Sequence, residues 1–144
     1  MGDEAMSANY EGDITPKEAW TLLADDAHAV LVDVRTPAEW TYVGIPMLTD
    51  LRKKPILVAW VDFPDMQMNA RFVDQISEAV DKKAPIVLLC RSGVRSRAAA
   101  IALTAAGFGP CYNVATGFEG DLDERRHRGT RAGWKADGLP WAQS

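Results

Sequence analysis

The stretch IVLLCRSGVRSRAAAIALTAAGF, residues 86–108, contains the local signals that decide the fold. An apolar run leads into Cys90, a short turn containing Gly93 follows, and an alanine-rich segment then continues to Gly107. A short apolar run bounded by turn residues is typical of a buried strand, and an alanine-rich segment is typical of a helix. The stretch therefore predicts a strand, a tight turn and a helix that begins near Ser96, with the cysteine at the carboxyl end of the strand.

The same alternation of strands and helices extends along most of the chain. Each predicted strand is apolar throughout rather than at every second residue, which is typical of a parallel sheet covered on both faces. We therefore predict an α/β fold in three layers, with a parallel sheet of about five strands between helices. The predicted strands are residues 30–34, 55–63, 85–90 and 111–116.

Local capping signals predict where several helices begin. The sequence TPxE occurs at residues 15–18 and again at 36–39, and each copy combines a threonine cap, a proline in the first turn and a glutamate that completes a capping box. A third helix is predicted over residues 69–83, with Asn69 as its cap.

Size and charge indicate one domain and restrict its partners. The chain has 144 residues and a net charge of −4, so it is long enough for one core and lacks the basic character of a nucleic-acid-binding protein. We predict a flexible tail over residues 1–12 and one domain over 13–144, whose last part wraps the surface from about residue 119. No secretory signal or membrane-spanning run is recognised, so the predicted location is cytoplasmic, without a membrane or nucleic-acid partner.

The two cysteines are assigned different roles. Neither belongs to a metal-binding spacing, so no metal is predicted, and two cysteines are too few for a disulfide framework. Cys111 begins the strand that follows the alanine-rich helix, which places it at the amino end of the sheet. Parallel strands of this length separate the two sulfurs by about 15 Å, so Cys111 is expected to be a core residue rather than a partner of Cys90.

The turn after Cys90 combines the groups that activate a cysteine. Ligands of open α/β sheets collect at the carboxyl ends of strands, where a helix N-terminus directs backbone N–H groups toward an anion. Nearby arginines also favour the nucleophilic thiolate over the thiol. Gly93 allows the backbone to close on a ligand. The other candidate binding residues, through side chains or backbone N–H groups, are Arg91, Ser92, Val94, Arg95 and Ser96.

Several motifs together resemble the rhodanese family. CRSGVRS, residues 90–96, resembles the active-site loop of its single-domain sulfurtransferases. LVDVRTPAEW, residues 31–40, is similar to the family's Asp-Val-Arg strand and following helix, and GIP, residues 44–46, is similar to part of a family turn. NVATGFEG, residues 113–120, stands where the family has a glycine-rich turn before an aromatic residue.

The resemblance implies a rhodanese-like domain that carries sulfur on Cys90. In such an enzyme the cysteine takes sulfane sulfur from an anionic donor such as thiosulfate, becomes a persulfide, and passes the outer sulfur to cyanide or to a thiol. The acceptor thiol belongs to a small molecule or to a thioredoxin-like protein, and no cofactor is required. The resemblance further implies that the backbone of residues 91–96 stabilises the persulfide and that Arg95, more than Arg91, attracts the donor.

Four further residues are candidates for the rim of the pocket. Asp33 and Arg35 end a predicted strand and can face the site, although Arg35 can equally pair with Glu39 at the start of a helix. Phe63 and Phe118 follow other predicted strands and can shield a persulfide from water, although core packing explains them equally well.

Two other functions remain open from the sequence. Rhodanese-like domains also serve as non-catalytic binding or regulatory modules. Cysteine-dependent phosphatases and arsenate reductases use a loop with five residues between cysteine and arginine, whereas four residues separate Cys90 from Arg95. The shorter loop forms a smaller cradle, which favours a sulfur atom over a tetrahedral oxyanion. The chain is expected to be a monomer or a homodimer.

Overall fold

The structure is a computed structural model and describes residues 9–62 and 67–143. Phe63, one of the predicted rim residues, lies outside the described residues. The strands are β1 (Gly12–Ile14), β2 (Val30–Asp33), β3 (Ile45–Pro46), β4 (Ile56–Leu57), β5 (Val61–Asp62), β6 (Gln67–Met68), β7 (Ile86–Leu89), β8 (Cys111–Val114) and β9 (Trp141–Ala142). The α-helices are α1 (Pro16–Asp25), α2 (Pro37–Tyr42), α3 (Phe72–Ala79) and α4 (Val94–Ala105), and a 3₁₀ turn spans Thr49–Leu51.

The main sheet contains five strands in the order β1-β8-β7-β2-β4. All its neighbouring strands are parallel, which confirms the predicted α/β class and the parallel sheet. Strand β7 is the central strand, and all four of its residues are buried. The carboxyl end of β7 therefore opens at the middle of one edge of the sheet, which is where the chain continues into Cys90.

Alternate residues of the sheet face two separate hydrophobic cores. Ile86 and Leu88 of β7 pack with residues of α3 and α4, whereas Val87 and Leu89 pack with residues of α1 and with Trp134 near the C-terminus. A sheet with a core on each face must be apolar at every position, which explains why the strands lack the alternation of a half-exposed sheet. The arrangement confirms the predicted three layers.

Both TPxE motifs begin helices as predicted. Thr15 accepts a hydrogen bond from the backbone N–H of Glu18, and the glutamate side chain accepts one from the backbone of Thr15 in return. Thr36 and Glu39 form the same capping box at the start of α2. These starts are predictable because every group involved lies within four consecutive residues.

The predicted strand over residues 55–63 is wrong in its extent. Strand β4 contains only Ile56–Leu57, and β5 pairs antiparallel with β6 outside the main sheet. Between them, the chain bends toward the α3 side, where the rings of Trp60 and Phe72 pack edge to face with centroids 5.0 Å apart. Aromatic packing on one core thus interrupts an apolar run that the sequence alone presents as continuous.

Two helix starts also differ from the prediction. Helix α3 begins at Phe72, and Asn69 instead holds the preceding turn, because its side chain accepts from the N–H of Arg71 and donates to the carbonyl of Ala59. Helix α4 begins at Val94, two residues before Ser96. The serine therefore lies inside the first turn of α4.

The two ends of the described chain are both tied to the domain. Tyr10 is buried and the N–H of Glu11 donates to the carbonyl of Cys111, so these two residues pack against the domain. Residues 1–8 of the predicted tail lie outside the described residues. Near the C-terminus, Trp134 is fully buried and β9 pairs antiparallel with β3. Within the described ranges no helix is both long and apolar enough to cross a membrane.

Candidate active site

Cys90 lies directly after the central strand and directly before the turn into α4. The residue is 1% exposed, so its sulfur contacts protein atoms from the turn and the helix. The backbone N–H of Gly93 donates to Cys90 Sγ over 3.1 Å, and Ser96 Oγ lies 3.2 Å from the same sulfur. These two contacts place the sulfur at the N-terminus of a twelve-residue helix, where the helix dipole favours negative charge.

Gly93 is required by the geometry of this turn. Its φ of +105° lies in the left-handed region, which residues with a Cβ rarely adopt. A Cβ at this position would also overlap the carbonyl oxygen of Ala115, which belongs to the turn after β8. The backbone N–H that contacts the sulfur is therefore held in place by a conformation that only glycine fits.

A second turn, residues 115–120, holds the cysteine loop from the other side. The N–H of Phe118 donates to the carbonyl of Cys90 over 2.8 Å, and the N–H groups of Glu119 and Gly120 both donate to the carbonyl of Arg91. Gly117 has a φ of +68° and packs so closely that a Cβ there would lie 2.6 Å from the backbone nitrogen of Ser92. The first two residues of the loop, Cys90 and Arg91, are thus fixed by backbone hydrogen bonds from the second turn.

Arg95 forms an ion pair instead of projecting into an open cradle. Its two terminal nitrogens donate to the two carboxylate oxygens of Glu39 over 2.6 and 2.9 Å. Burial alone would raise the pKa of Glu39, but the hydrogen bonds and charge of Arg95, together with the hydrogen bonds from Thr36, outweigh it and lower that pKa. The hydrogen bonds to Glu39 in turn raise the pKa of Arg95. The pair joins the first turn of α4 to the first turn of α2.

Asp33 and Arg35 pair with each other, and the alternative pairing of Arg35 with Glu39 does not form, because Glu39 is bound by Arg95. The Arg35 guanidinium donates to both Asp33 oxygens over 2.6–3.2 Å and to the carbonyl of Gly44 over 2.7 Å. The guanidinium carbon also lies 4.3 Å from the ring centre of Phe118. The three predicted rim side chains that the structure describes, Asp33, Arg35 and Phe118, are 0% exposed, so they support the site from inside the protein rather than line its mouth.

The exposed part of the loop is formed by other predicted residues. Val94 is 77% exposed, Arg91 is exposed and Ser92 is half-buried. The structure therefore separates the predicted loop residues into three groups. Gly93 and Ser96 contact the sulfur, Arg95 is paired with Glu39, and the more accessible part of the loop consists of Arg91, Ser92 and Val94.

One site residue, Asn113, is not among those predicted from the sequence. Its side-chain Oδ1 lies 2.5 Å from Ser96 Oγ, and its Nδ2 donates to Asp13 Oδ1 over 3.0 Å and to the carbonyl of Gly93 over 3.2 Å. Asn113 is 2% exposed and occupies the apolar strand β8. A polar residue in a strand buried on both faces must find hydrogen-bond partners, which is the signal that could have identified it.

The second cysteine lies at the opposite end of the sheet, as predicted. Cys111 is in register with Ile86, the first residue of β7, whereas Cys90 follows the last. Burial raises the pKa of the Cys111 thiol, and a hydrogen bond with Thr104 opposes that shift only in part. Neither cysteine forms a disulfide. No group of three or more His, Cys, Asp or Glu side chains within residues 9–62 and 67–143 is arranged to hold a metal ion.

Comparison with protein families gives a match over nearly the whole chain. The model of the STR4 middle domain matches residues 11–144. The protein named uncharacterized protein RC0915 of Rickettsia conorii is 41% identical over 130 residues, which cover 89% of this chain and 94% of that protein. The thiosulfate sulfurtransferase GlpE of Actinobacillus pleuropneumoniae is 27% identical over 128 residues, which cover 89% of this chain and 90% of that enzyme.

Solved structures show the same fold. The crystal structure of Rv0390 from M. tuberculosis is 47% identical with a TM-score of 0.88, and the match covers 94% of this chain and 99% of that one. The polysulfide-sulfur transferase homodimer of Wolinella succinogenes is 22% identical with a TM-score of 0.64, covering 98% of this chain and 84% of that one. A rhodanese-like domain protein of Staphylococcus aureus is 23% identical with a TM-score of 0.52, covering 90% of this chain and 96% of that one.

Proposed function

The chain belongs to the STR4 middle-domain family of rhodanese-like proteins, and we propose that it is a sulfurtransferase that carries sulfane sulfur as a Cys90 persulfide. The observation that carries the proposal is the position of Cys90 Sγ, which lies 3.1 Å from the N–H of Gly93 at the N-terminus of α4. A sulfur in this position is stabilised as an anion by a backbone donor and by the helix dipole. Thiosulfate is the proposed donor class, as the name of the GlpE relative also suggests.

In the loading step the Cys90 thiolate attacks the outer, sulfane sulfur of thiosulfate. A new S–S bond forms to Cys90 as the bond between the two thiosulfate sulfurs breaks, and sulfite leaves with the electron pair. The product is a persulfide whose outer sulfur carries the negative charge. This is covalent catalysis, in which one group transfer is divided into two simpler steps.

In the unloading step an acceptor thiolate or cyanide attacks the outer sulfur of the persulfide. The acceptor–sulfur bond forms, the bond to Cys90 Sγ breaks, and the electron pair returns to the cysteine. Backbone N–H groups at the start of α4 stabilise the charge in both states, because they are held in place before the reaction begins. The acceptor is proposed to be a thiol of a small molecule or of a thioredoxin-like protein.

The two loop arginines are proposed to have different roles. Arg95 already donates to both carboxylate oxygens of Glu39, so it positions the loop rather than binding the donor. Arg91 is exposed beside the cysteine, and its guanidinium is suited to attract the sulfonate end of an anionic donor. This reverses the order of importance that the family resemblance implied for the two residues.

The ion pair between Arg95 and Glu39 also argues against the phosphatase alternative. An oxyanion-binding loop requires its arginine to be available for two phosphate oxygens, whereas Arg95 is engaged by Glu39. The alternative of a non-catalytic module is disfavoured because the chain retains Cys90 together with a backbone donor to its sulfur. Each alternative predicts a different outcome of one experiment.

The proposal is tested by intact-protein mass spectrometry after incubation with thiosulfate and removal of excess donor. We expect a mass gain of one sulfur atom in the wild type and in Cys111→Ala, no gain in Cys90→Ala, and reversal of the gain by cyanide. No gain in any folded variant would support a binding module. Hydrolysis of p-nitrophenyl phosphate without sulfur loading would support a phosphatase.

A cytoplasmic location and a monomeric or homodimeric state also remain proposals. The polysulfide-sulfur transferase of Wolinella succinogenes is a homodimer, but at 22% identity its likeness to this chain concerns the fold. Size-exclusion chromatography with light scattering would determine the oligomeric state of this chain.

A further inference from the structure

The hydroxyl of Ser96 lies between two atoms that compete for its single hydrogen. Ser96 Oγ is 3.2 Å from Cys90 Sγ and 2.5 Å from Asn113 Oδ1. A serine hydroxyl has one hydrogen to donate, whereas its oxygen can accept further hydrogen bonds. The direction of that hydrogen therefore determines whether Ser96 donates to the sulfur or can only accept from it.

The orientation of the Asn113 amide is fixed by its neighbours. Its Nδ2 is surrounded by two acceptors, the Asp13 carboxylate and the carbonyl of Gly93. Rotating the amide by half a turn would place Oδ1 against both acceptors, so the oxygen must face Ser96. Asp13 is itself held by the hydroxyl of Tyr10 over 2.8 Å. Burial and the contact with Asp13 raise the pKa of Tyr10, which keeps that hydroxyl protonated as the donor.

This orientation directs the Ser96 hydrogen to Asn113. Oδ1 has no hydrogen of its own, so an oxygen–oxygen distance of 2.5 Å requires the serine to be the donor. With its hydrogen on Asn113, Ser96 can accept an S–H hydrogen bond from a neutral Cys90 but presents only lone pairs to a thiolate. If Ser96 turned its hydrogen to the sulfur, Oδ1 of the 2% exposed Asn113 would lose its partner where water cannot replace it.

We propose that Asn113 is a positioning residue that competes with the Cys90 thiolate for the Ser96 hydroxyl hydrogen. Because Asn113 holds that hydrogen, the thiolate of the unloaded protein is less stable relative to the thiol. The N–H of Gly93 acts in the opposite direction, because it donates to the sulfur in either state. The network extends from β1 through β8 to α4, so three separate elements determine one hydrogen position. The charged and titratable groups around the site are Tyr10, Asp13, Asp33, Arg35, Glu39, Arg91, Arg95 and Arg97.

The restraint has a consequence for sulfur retention, and this consequence rests on the proposed function. In a persulfide the inner sulfur forms two covalent bonds and carries no charge, so it needs no hydrogen from Ser96. All contacts of Ser96 and Asn113 are therefore satisfied in the loaded protein, whereas unloading returns an electron pair to a sulfur that Ser96 does not assist. Asn113 thus favours the loaded state over the free thiolate.

The test measures the rate of iodoacetamide alkylation against pH in a Cys111→Ala background, so that labelling reports Cys90 alone. We expect Asn113→Ala to lower the pH at which the alkylation rate reaches half its maximum. At pH values below this midpoint the variant should react about tenfold faster, a change that corresponds to the free energy of about one hydrogen bond. Ser96→Ala is the matched background. There, the same Asn113→Ala change should have no effect on the pH profile, because the competing hydroxyl is absent.

The inference is overturned if Asn113→Ala shifts the pH profile equally with and without Ser96, since the effect would then come from the Gly93 contact or from loop disorder. An unchanged profile in the presence of Ser96 overturns it as well. Circular dichroism and thermal melting establish that each variant folds, and Asn113→Leu, which has the same number and branching of side-chain heavy atoms, replaces Asn113→Ala if alanine does not fold. Alkylation requires no sulfur donor, so this result is independent of whether the protein loads sulfur from thiosulfate.

Discussion

The two cysteines lie at opposite ends of adjacent strands, and the comparison separates burial from reactivity. Cys90 and Cys111 are each 1% exposed, so exposure does not distinguish them. Cys90 Sγ receives a backbone N–H over 3.1 Å at the N-terminus of α4, whereas Cys111 Sγ lies 3.7 Å from the carbonyl oxygen of Phe108, and burial raises its pKa despite the contact with Thr104. A donor stabilises a thiolate and a carbonyl does not. The difference therefore lies in the polarity of the atoms around each sulfur.

The parallel sheet creates this difference. In a strand–turn–helix unit the helix N-terminus, with its unpaired N–H groups, lies beside the carboxyl end of the preceding strand. Cys90 follows β7 and precedes α4, so it meets these donors, whereas Cys111 begins β8 after the chain has left α4 at its carbonyl-bearing end. The position of a cysteine along a strand thus decides which end of a helix it meets.

Gly93→Ala should have the strongest effect, because it removes the backbone donor that distinguishes Cys90 from Cys111. The added Cβ meets the carbonyl of Ala115 and the backbone must leave a φ of +105°, so the N–H should lose contact with the sulfur. We expect the rate of sulfur loading to fall by about 100-fold, as for loss of one anion-stabilising donor, and the free energy of unfolding to fall by about 1–3 kcal/mol.

Gly138→Ala is the matched control for Gly93→Ala. Its φ is +76°, but nothing lies within 4 Å of an added Cβ. This variant should lose a similar or smaller amount of stability in urea unfolding and should retain sulfur loading. Full loading by a folded Gly93→Ala protein would show that the N–H contact does not create the difference between the two cysteines.

Glu39→Gln should have a smaller effect, and it measures how much the ion pair with Arg95 contributes to stability beside Cys90. Glutamine retains the capping box but removes the charge, so we expect a loss of about 1 kcal/mol of stability at neutral pH. The pKa of Glu39 is lowered in the folded protein, so this contribution is present above the ordinary carboxyl pKa and is lost as pH falls through the lowered value.

The measurement is the difference in unfolding free energy between wild type and Glu39→Gln across acidic pH. Glu18→Gln is the control, because Glu18 forms the corresponding capping box of α1 and is not part of the Arg95 pair. We expect the difference to disappear at low pH for Glu39→Gln. A pH-independent difference would assign the loss to the cap rather than to the ion pair.

Cys111→Ala should have the smallest effect, and it tests whether the cysteine at the amino end of the sheet is only a core residue. Removal of the buried sulfur should cost about 1 kcal/mol of stability and leave sulfur loading unchanged. Because the folded pKa of Cys111 is raised, the stability that this thiol provides is present below the ordinary thiol pKa of about 8.5 and is lost as pH rises through the raised value. Chemical unfolding of wild type and variant at neutral and alkaline pH measures this loss, and a defect in loading would contradict the core assignment.

Features built from neighbouring residues could be predicted from the sequence, and features built from distant residues could not. The TPxE motifs and the strand–turn–helix around Cys90 use neighbouring residues, and both were confirmed. The ion pair of Arg95 with Glu39 joins residues 56 positions apart, and it takes the place of the alternative pairing of Glu39 with Arg35. No local pattern specifies which of two nearby arginines a glutamate selects.

The apolar run over residues 55–63 and the polar Asn113 illustrate two other limits. An apolar run indicates that a segment is buried but does not show whether the segment continues straight. A straight strand and a segment that bends toward a core therefore have the same pattern, and only the packing of Trp60 distinguishes them here. Asn113 is conspicuous only once the strand around it is known to be buried on both faces. Its three hydrogen bonds, to β1, to α4 and to the turn before α4, depend on strand order, which hydrophobic patterning does not determine.

The strand order that places β7 and Cys90 at the middle of the sheet also affects the tendency of the protein to aggregate at high concentration. The outer strands of the main sheet are β1, with three residues, and β4, with two. Exposed strand edges are templates for the addition of strands from other molecules, and short edges give such an addition few hydrogen bonds. We therefore expect concentrated, reduced protein to resist assembly into fibrils, because its longer strands are enclosed between neighbours.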